Sequence, residues 1–222
     1  MALSARPAPR KPRSPAGRAR LAARMLAEVY PEAICELKHS SPYELLVATI
    51  LSAQCTDARV NLVTPALFER WCDASALALA EQGALEAVVR STGFYASKAR
   101  NLLAMAGRLV DHFDGEVPTS LEDLVSLAGV GRKTANVIRT VAFDLPGFPV
   151  DTHVLRLTSR LGITDESDPV KVEMIVNPMI PASERGDLSL RLILHGRRIC
   201  AARRPACDHC TLSWWCPSAH QF

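Results

Sequence analysis

From about residue 20 onward the apolar residues recur at spacings of three and four, as in Leu45, Leu46, Ala48, Thr49 and Ile50, or Leu102, Leu103, Ala106, Leu109 and Val110. That period places them on one face of an α-helix and not on one face of a strand. Runs alternating apolar with polar residues are missing, and aromatic residues make up only 5% of the chain, so no sheet is expected. Helix-stopping residues punctuate the pattern at Pro31, Ser41-Pro42, Gly93, Gly115, Pro118, Gly129, Gly131, Pro146 to Pro149, Gly162 and Gly186. An all-α chain of roughly ten short helices follows. With 222 residues, 48% of them hydrophobic, it can bury a substantial core as one large domain or two small ones.

The net charge of +3 is unevenly spread. Residues 1–20 carry six bases (Arg6, Arg10, Lys11, Arg13, Arg18, Arg20) and no acid, which leaves 20 bases against 23 acids elsewhere. A polyanionic partner must therefore be met by local basic patches and by this segment. Because Pro7, Pro9, Pro12 and Pro15 interrupt it, residues 1–20 are expected to form a disordered basic arm and not an amphipathic targeting helix. No apolar stretch approaches the length of a membrane span or of a secretory signal. The expectation is an intracellular protein, cytoplasmic and nucleoid-associated in a bacterium, with no membrane partner.

Thr119-Ser120-Leu121-Glu122 has the form of a capping box and opens a helix at about residue 120, which should end at Leu127 or Ala128. Gly129-Val130-Gly131 then allows a tight connection into a second helix beginning at Arg132. Amides at the start of that helix, with the positive end of its dipole, make an anion site suited to a phosphate. Taken alone, the same residues also fit an ordinary packing corner. Lys133, in the first turn, is either a solvated surface lysine or an amine activated as a nucleophile, since the dipole there disfavours the ammonium form. Asp151 follows an apolar approach (Phe148-Pro149-Val150) and is a good helix N-cap.

Of seven cysteines, four crowd into residues 200–216 in the pattern Cys200-x6-Cys207-x2-Cys210-x5-Cys216. Clustering of this kind reads as metal binding in a reducing compartment, and four thiolates suit either zinc or an iron–sulfur cluster. Arg203 and Arg204 sit within the first interval, and residues 191–222 hold five arginines against Asp208 alone. This loop is a candidate contact to a phosphate backbone.

The run Leu127-Ala128-Gly129-Val130-Gly131-Arg132-Lys133-Thr134-Ala135-Asn136-Val137 resembles the helix-hairpin-helix of the endonuclease III family, and Val150-Asp151-Thr152-His153 resembles the same family's aspartate segment. The cysteine spacing is similar to that of its four-iron four-sulfur cluster. Ser52-Ala53-Gln54-Cys55-Thr56-Asp57 resembles a loop whose glutamine fills the space left by an extruded base, with Asp57 expected as a helix cap. The motifs run colinearly from about residue 20 to 218.

The resemblance implies a two-lobed helix-hairpin-helix DNA glycosylase fold. A six-helix domain at 35–145 would carry the hairpin at about 119–143. Residues 21–34 and 146–222 would form a discontinuous domain with the cluster loop at 200–216. It further implies a bifunctional DNA glycosylase/AP lyase acting on oxidised pyrimidines in double-stranded DNA, as a monomer, by Schiff-base chemistry and β-elimination. Lys133 would be the nucleophile and Asp151 its catalytic partner, with a 4Fe-4S cluster on Cys200, Cys207, Cys210 and Cys216. DNA would be contacted by Gly129, Val130, Gly131, Arg132, Gln54, Phe94, Arg203 and Arg204.

Three positions depart from the family pattern. Ala128 stands where proline is usual, which removes about 0.4–1 kcal/mol of preorganisation, while Cys55 and Phe94 place damage preference in doubt. The rival readings are an adenine-excising mismatch glycosylase, a non-catalytic DNA-binding paralogue and a small electron carrier. Against the first stand Lys133 and the expectation that the chain stops at Phe222 without the C-terminal recognition domain of that class.

Overall fold

The computed structural model describes residues 11–221, and among these every regular element is helical. The first helix, α1 (Pro15–Val29), starts inside the stretch expected to be a disordered arm. The prolines account for the difference: Ser14 caps the helix by accepting from the Gly17 amide, and Pro15 occupies the first helical position, where its missing N–H costs nothing. Arg18, counted with the arm, donates to the Gly162 carbonyl at 2.9 Å. The rest of the expected arm, residues 1–10, lies outside the described residues.

The chain divides into two compact units, one formed by Ile34–Pro149 and the other by the segments up to Ala33 and from Val150 onward. The first holds seven α-helices and not six: α2 (Pro42–Leu51), α3 (Asp57–Arg70), α4 (Ala74–Ala78), α5 (Gln82–Val89), α6 (Tyr95–Phe113), α7 (Leu121–Val125) and α8 (Arg132–Ala142). Two of them, α4 and α7, have five residues each and stand behind their own caps, Asp73 and Ser120. Eight of the ten α2 residues are buried, the mark of a helix surrounded by others. Around it Leu67, Leu77, Leu85, Leu102, Met105, Leu109 and Leu124 close a single apolar core.

The second unit joins α1 to α9 (Thr152–Arg160), α10 (Pro169–Val176) and α11 (Arg185–Arg198). Gly186 was expected to stop a helix; it falls inside the first turn of α11 instead, where few intrahelical bonds depend on it. The small faces of Ala19, Ala22 and Ala23 are buried as α1 packs on α11. A Cβ on Gly196 would stand 2.8 Å from His153 Nδ1, so only glycine lets α11 approach α9 this closely. Among the described residues no helix is long and apolar enough to cross a membrane.

Candidate functional site

The hairpin is built from a cap one residue later than the sequence suggested. Ser120 Oγ accepts from the Asp123 amide at 3.0 Å and donates to Asp123 Oδ2 at 2.6 Å, taking the part expected of Thr119 and Glu122. The helix it opens ends at Val125, short of the expected Leu127, and a turn carries the chain to Gly129. Of the two hairpin glycines only Gly129, at φ +78°, needs the left-handed region; Gly131 is extended, at φ −90° and ψ 174°. Val130, expected to contact DNA, is buried and gives its amide to the Leu127 carbonyl at 3.1 Å, so it anchors the turn in the core. Gly131 supplies no side-chain cap to α8, and Arg139 ties the hairpin together by donating to the Thr119 carbonyl at 2.7 Å.

A side chain at Gly129 would be strained in φ and would meet Asn101 Cβ at 3.1 Å. Gly129→Val is therefore expected to destabilise by about 1–2 kcal/mol, seen as a fall of roughly 2–8 °C in the thermal midpoint. Duplex affinity should fall with it.

Lys133 is exposed on the first turn of α8. Its surroundings include a cysteine that the sequence motifs do not point to. Burial pushes the Cys35 thiol up, and among the smaller influences Asp57 pushes the same way while Lys133 opposes them. Asp57 itself is the first residue of α3; the cap is Thr56, whose hydroxyl accepts from the Arg59 amide.

Asp151 is the N-cap of α9 in the other unit. Its Oδ1 accepts from the amides of His153 and Val154 at 2.8 and 2.9 Å, which leaves Oδ2 outside the cap. Buried Phe148 and Val150 fix the approach to it. His153, two residues on, has Nδ1 3.0 Å from Arg156 Nη2.

Gln54 and Phe94 stand at the tips of two loops, and both adopt left-handed backbone, at φ +54° and +48°. Such a conformation costs a non-glycine residue roughly 1–2 kcal/mol, and strain of this kind gathers where a tip must present a side chain. Phe94 is 67% exposed, a large apolar ring held out in solvent. The ring is no part of the apolar core.

All four C-terminal cysteines line one cavity, closed by Leu157, Leu161, Ile199 and Leu212. Burial, with smaller repulsion from the other three cysteines, pushes the Cys210 thiol up to about 11, and burial raises Cys216 as well. Four thiolates gathered here require positive charge among them. N–H groups already point at the sulfurs: Arg160 Nη1 donates to Cys200 at 3.2 Å, the His220 amide to Cys207 at 3.5 Å, and His195 Nε2 stands 3.3 Å from Cys210. Burial pulls His195 down to about 4, so the ring is neutral, with Nδ1 3.1 Å from the Tyr30 hydroxyl. Arg160 and His195 escape a reading of the sequence because nothing local ties them to the cysteines. Arg203 and Arg204 are exposed on the loop.

A glycine hairpin thus leads into the lysine-bearing helix of one unit, and four cysteines gather around one cavity in the other. Residues 47–181 match the family described as HhH-GPD superfamily base excision DNA repair protein. Endonuclease III of Synechocystis sp. is 50% identical over 196 residues, covering 88% of this chain and 90% of the relative. A solved non-covalent endonuclease III–DNA complex superposes with a TM-score of 0.88 at 40% identity, over 93% of this chain and 97% of that one. A trapped endonuclease III–DNA covalent intermediate does so with a TM-score of 0.88 at 41% identity, over the same shares of the two chains. The chain belongs to the endonuclease III family, whose members are DNA glycosylases with abasic-site lyase activity.

Proposed function

We propose that this chain removes oxidised pyrimidines from duplex DNA and cuts the resulting abasic strand, with Lys133 as nucleophile and Asp151 as its catalytic partner. The observation that carries this reading is an exposed lysine in the first turn of a helix whose cap, Gly131, offers no side chain. A phosphate brought to that helix start satisfies first-turn amides and lies along the dipole, which sets the sugar beside the amine. Contacts of this type position the strand without reading its sequence.

A base must leave the stack before the sugar can be attacked, and Gln54 and Phe94, exposed on strained loop tips, suit the space it vacates. The uncharged Lys133 Nζ bonds to the anomeric carbon as the base departs with the glycosidic electron pair. The Asp151 carboxylate stabilises the positive charge developing on the sugar and takes the proton shed by the amine. The ring C–O bond then breaks, its oxygen taking that proton back from Asp151 as the nitrogen lone pair forms a protonated imine. Loss of a proton from the adjacent carbon then expels the 3′ phosphate, so one nitrogen serves both steps.

Cys200, Cys207, Cys210 and Cys216 would hold a four-iron four-sulfur cluster. The donor set fits: four thiols line one cavity, and N–H groups face three of the sulfurs. When bound, the cluster would cross-link the loop and so hold Arg203 and Arg204 for the DNA backbone, and breaking an N-glycosidic bond calls for no electron transfer. The protein acts as an intracellular monomer.

A set of duplexes each carrying one lesion tests the activity. Thymine glycol is expected to be excised with strand cleavage, leaving an unsaturated 3′ aldehyde. Excision of adenine from mismatches, or binding without cleavage, would contradict it.

A further inference from the structure

Lys98 lies in the first turn of α6, and only 4% of its surface is exposed. A lysine this enclosed needs acceptors, and it has two. Its Nζ donates to the Leu51 carbonyl at 2.7 Å and to the Thr92 carbonyl at 2.8 Å. Both acceptors are at the ends of helical segments, Leu51 closing α2 and Thr92 closing the 3-10 turn Arg90–Thr92, where carbonyls lack intrahelical partners. Positive charge is favoured at such ends. Burial lowers the pKa of the amine, and the Cys55 thiol is the opposing influence.

The position of these carbonyls gives the contact its meaning. Leu51 is three residues before Gln54, and Thr92 is two before Phe94. The Lys98 amide also bonds the Phe94 carbonyl, at 3.0 Å. One residue therefore grips the roots of both loops whose tips hold left-handed backbone. The two segments are far apart in sequence and have separate helices to follow, α3 and α6.

We propose that Lys98 is a positioning residue that locks the Gln54 loop and the Phe94 loop into one rigid unit, so that both side chains enter the duplex together when a base is extruded. This rests on the glycosylase reading above. Lys98 touches neither substrate nor Lys133's chemistry; it acts through the loops. Its loss leaves two buried carbonyls unpaired and frees each loop to move separately.

Lys98→Met is compared with the wild type on two substrates and by hydrogen–deuterium exchange. Excision of thymine glycol from duplex DNA in single turnover is expected to slow between about 10- and 100-fold, since a displacement of about 1 Å can cost that much. Cleavage of an abasic site in single-stranded DNA, which requires no extrusion, is expected to stay within about twofold. Exchange should rise in residues 52–56 and 93–95 together. Lys98→Arg, which keeps donors for both carbonyls, should restore part of the duplex rate.

Equal slowing on the two substrates, an unchanged duplex rate, or faster exchange in only one loop would overturn the proposal. So would failure of both variants to fold, which would make Lys98 a general core residue. A wild type inert on every duplex would instead sink the glycosylase reading, and the exchange measurement would still decide whether Lys98 couples the loops.

Discussion

Lys133→Ala is expected to reduce both base excision and strand cleavage by on the order of 10³-fold or more, because a covalent nucleophile has no substitute in the site. Stability should hardly change, since Lys133 is exposed and alanine is the best helix former. Duplex affinity should remain within a few fold, as the hairpin backbone and Gly129 are untouched. Asp151→Asn separates the two roles of the aspartate. Asparagine caps a helix about as well as aspartate does, so the bonds to the His153 and Val154 amides persist. What disappears is the negative charge, and with it transition-state stabilisation expected to be about 10²–10³-fold. A variant with unchanged melting and lost turnover would assign Asp151 to chemistry; lost melting with intact turnover would leave it a cap alone.

The second large effect concerns the cysteine loop. Cys210→Ser is expected to abolish the visible absorbance of an iron–sulfur cluster and to release the loop that carries Arg203 and Arg204. If those arginines meet phosphates, the logarithmic dependence of duplex affinity on salt should become shallower by about 2, one for each phosphate no longer neutralised. The double variant Arg203→Ala, Arg204→Ala should show the same change in slope with its absorbance intact. A Cys210→Ser protein that keeps both colour and slope would place the metal, and the DNA-binding loop, elsewhere.

Much of this is legible in the sequence wherever the cause is local. The break read at Ser41-Pro42 falls where α2 begins, because a capping oxygen and a first-turn proline act within three residues of one another. Gly129 and Lys133 are likewise readable together, four residues apart on either side of a cap. Sequence and structure part where one residue supports two local rules. Pro15 breaks a helix in its interior but begins one at its first position, and the expected arm extends past it for that reason. Ser120 and Thr119 are both good caps, and only the bond to Asp123 decides between them.

The interactions that the sequence does not reveal are long-range. Lys98 and Leu51 are 47 residues apart, Arg160 and Cys200 are 40 apart, and the spacing of neither pair has a helical or strand period. Val130 shows a further gap: a motif says that a residue belongs to a hairpin, but not which way its side chain turns. Burial in the core settles that, and the core is drawn from the whole unit and not from the motif alone.

A single nitrogen, Lys133 Nζ, is expected to bond to the sugar. Incubating the protein with an abasic duplex and sodium borohydride reduces any imine to a stable amine, and mass spectrometry of the digest locates it. One adduct on the peptide containing Lys133, absent from Lys133→Ala, is the expected result. Strand cleavage with the adduct on another amine, or with no adduct at all, would remove Lys133 from the chemistry.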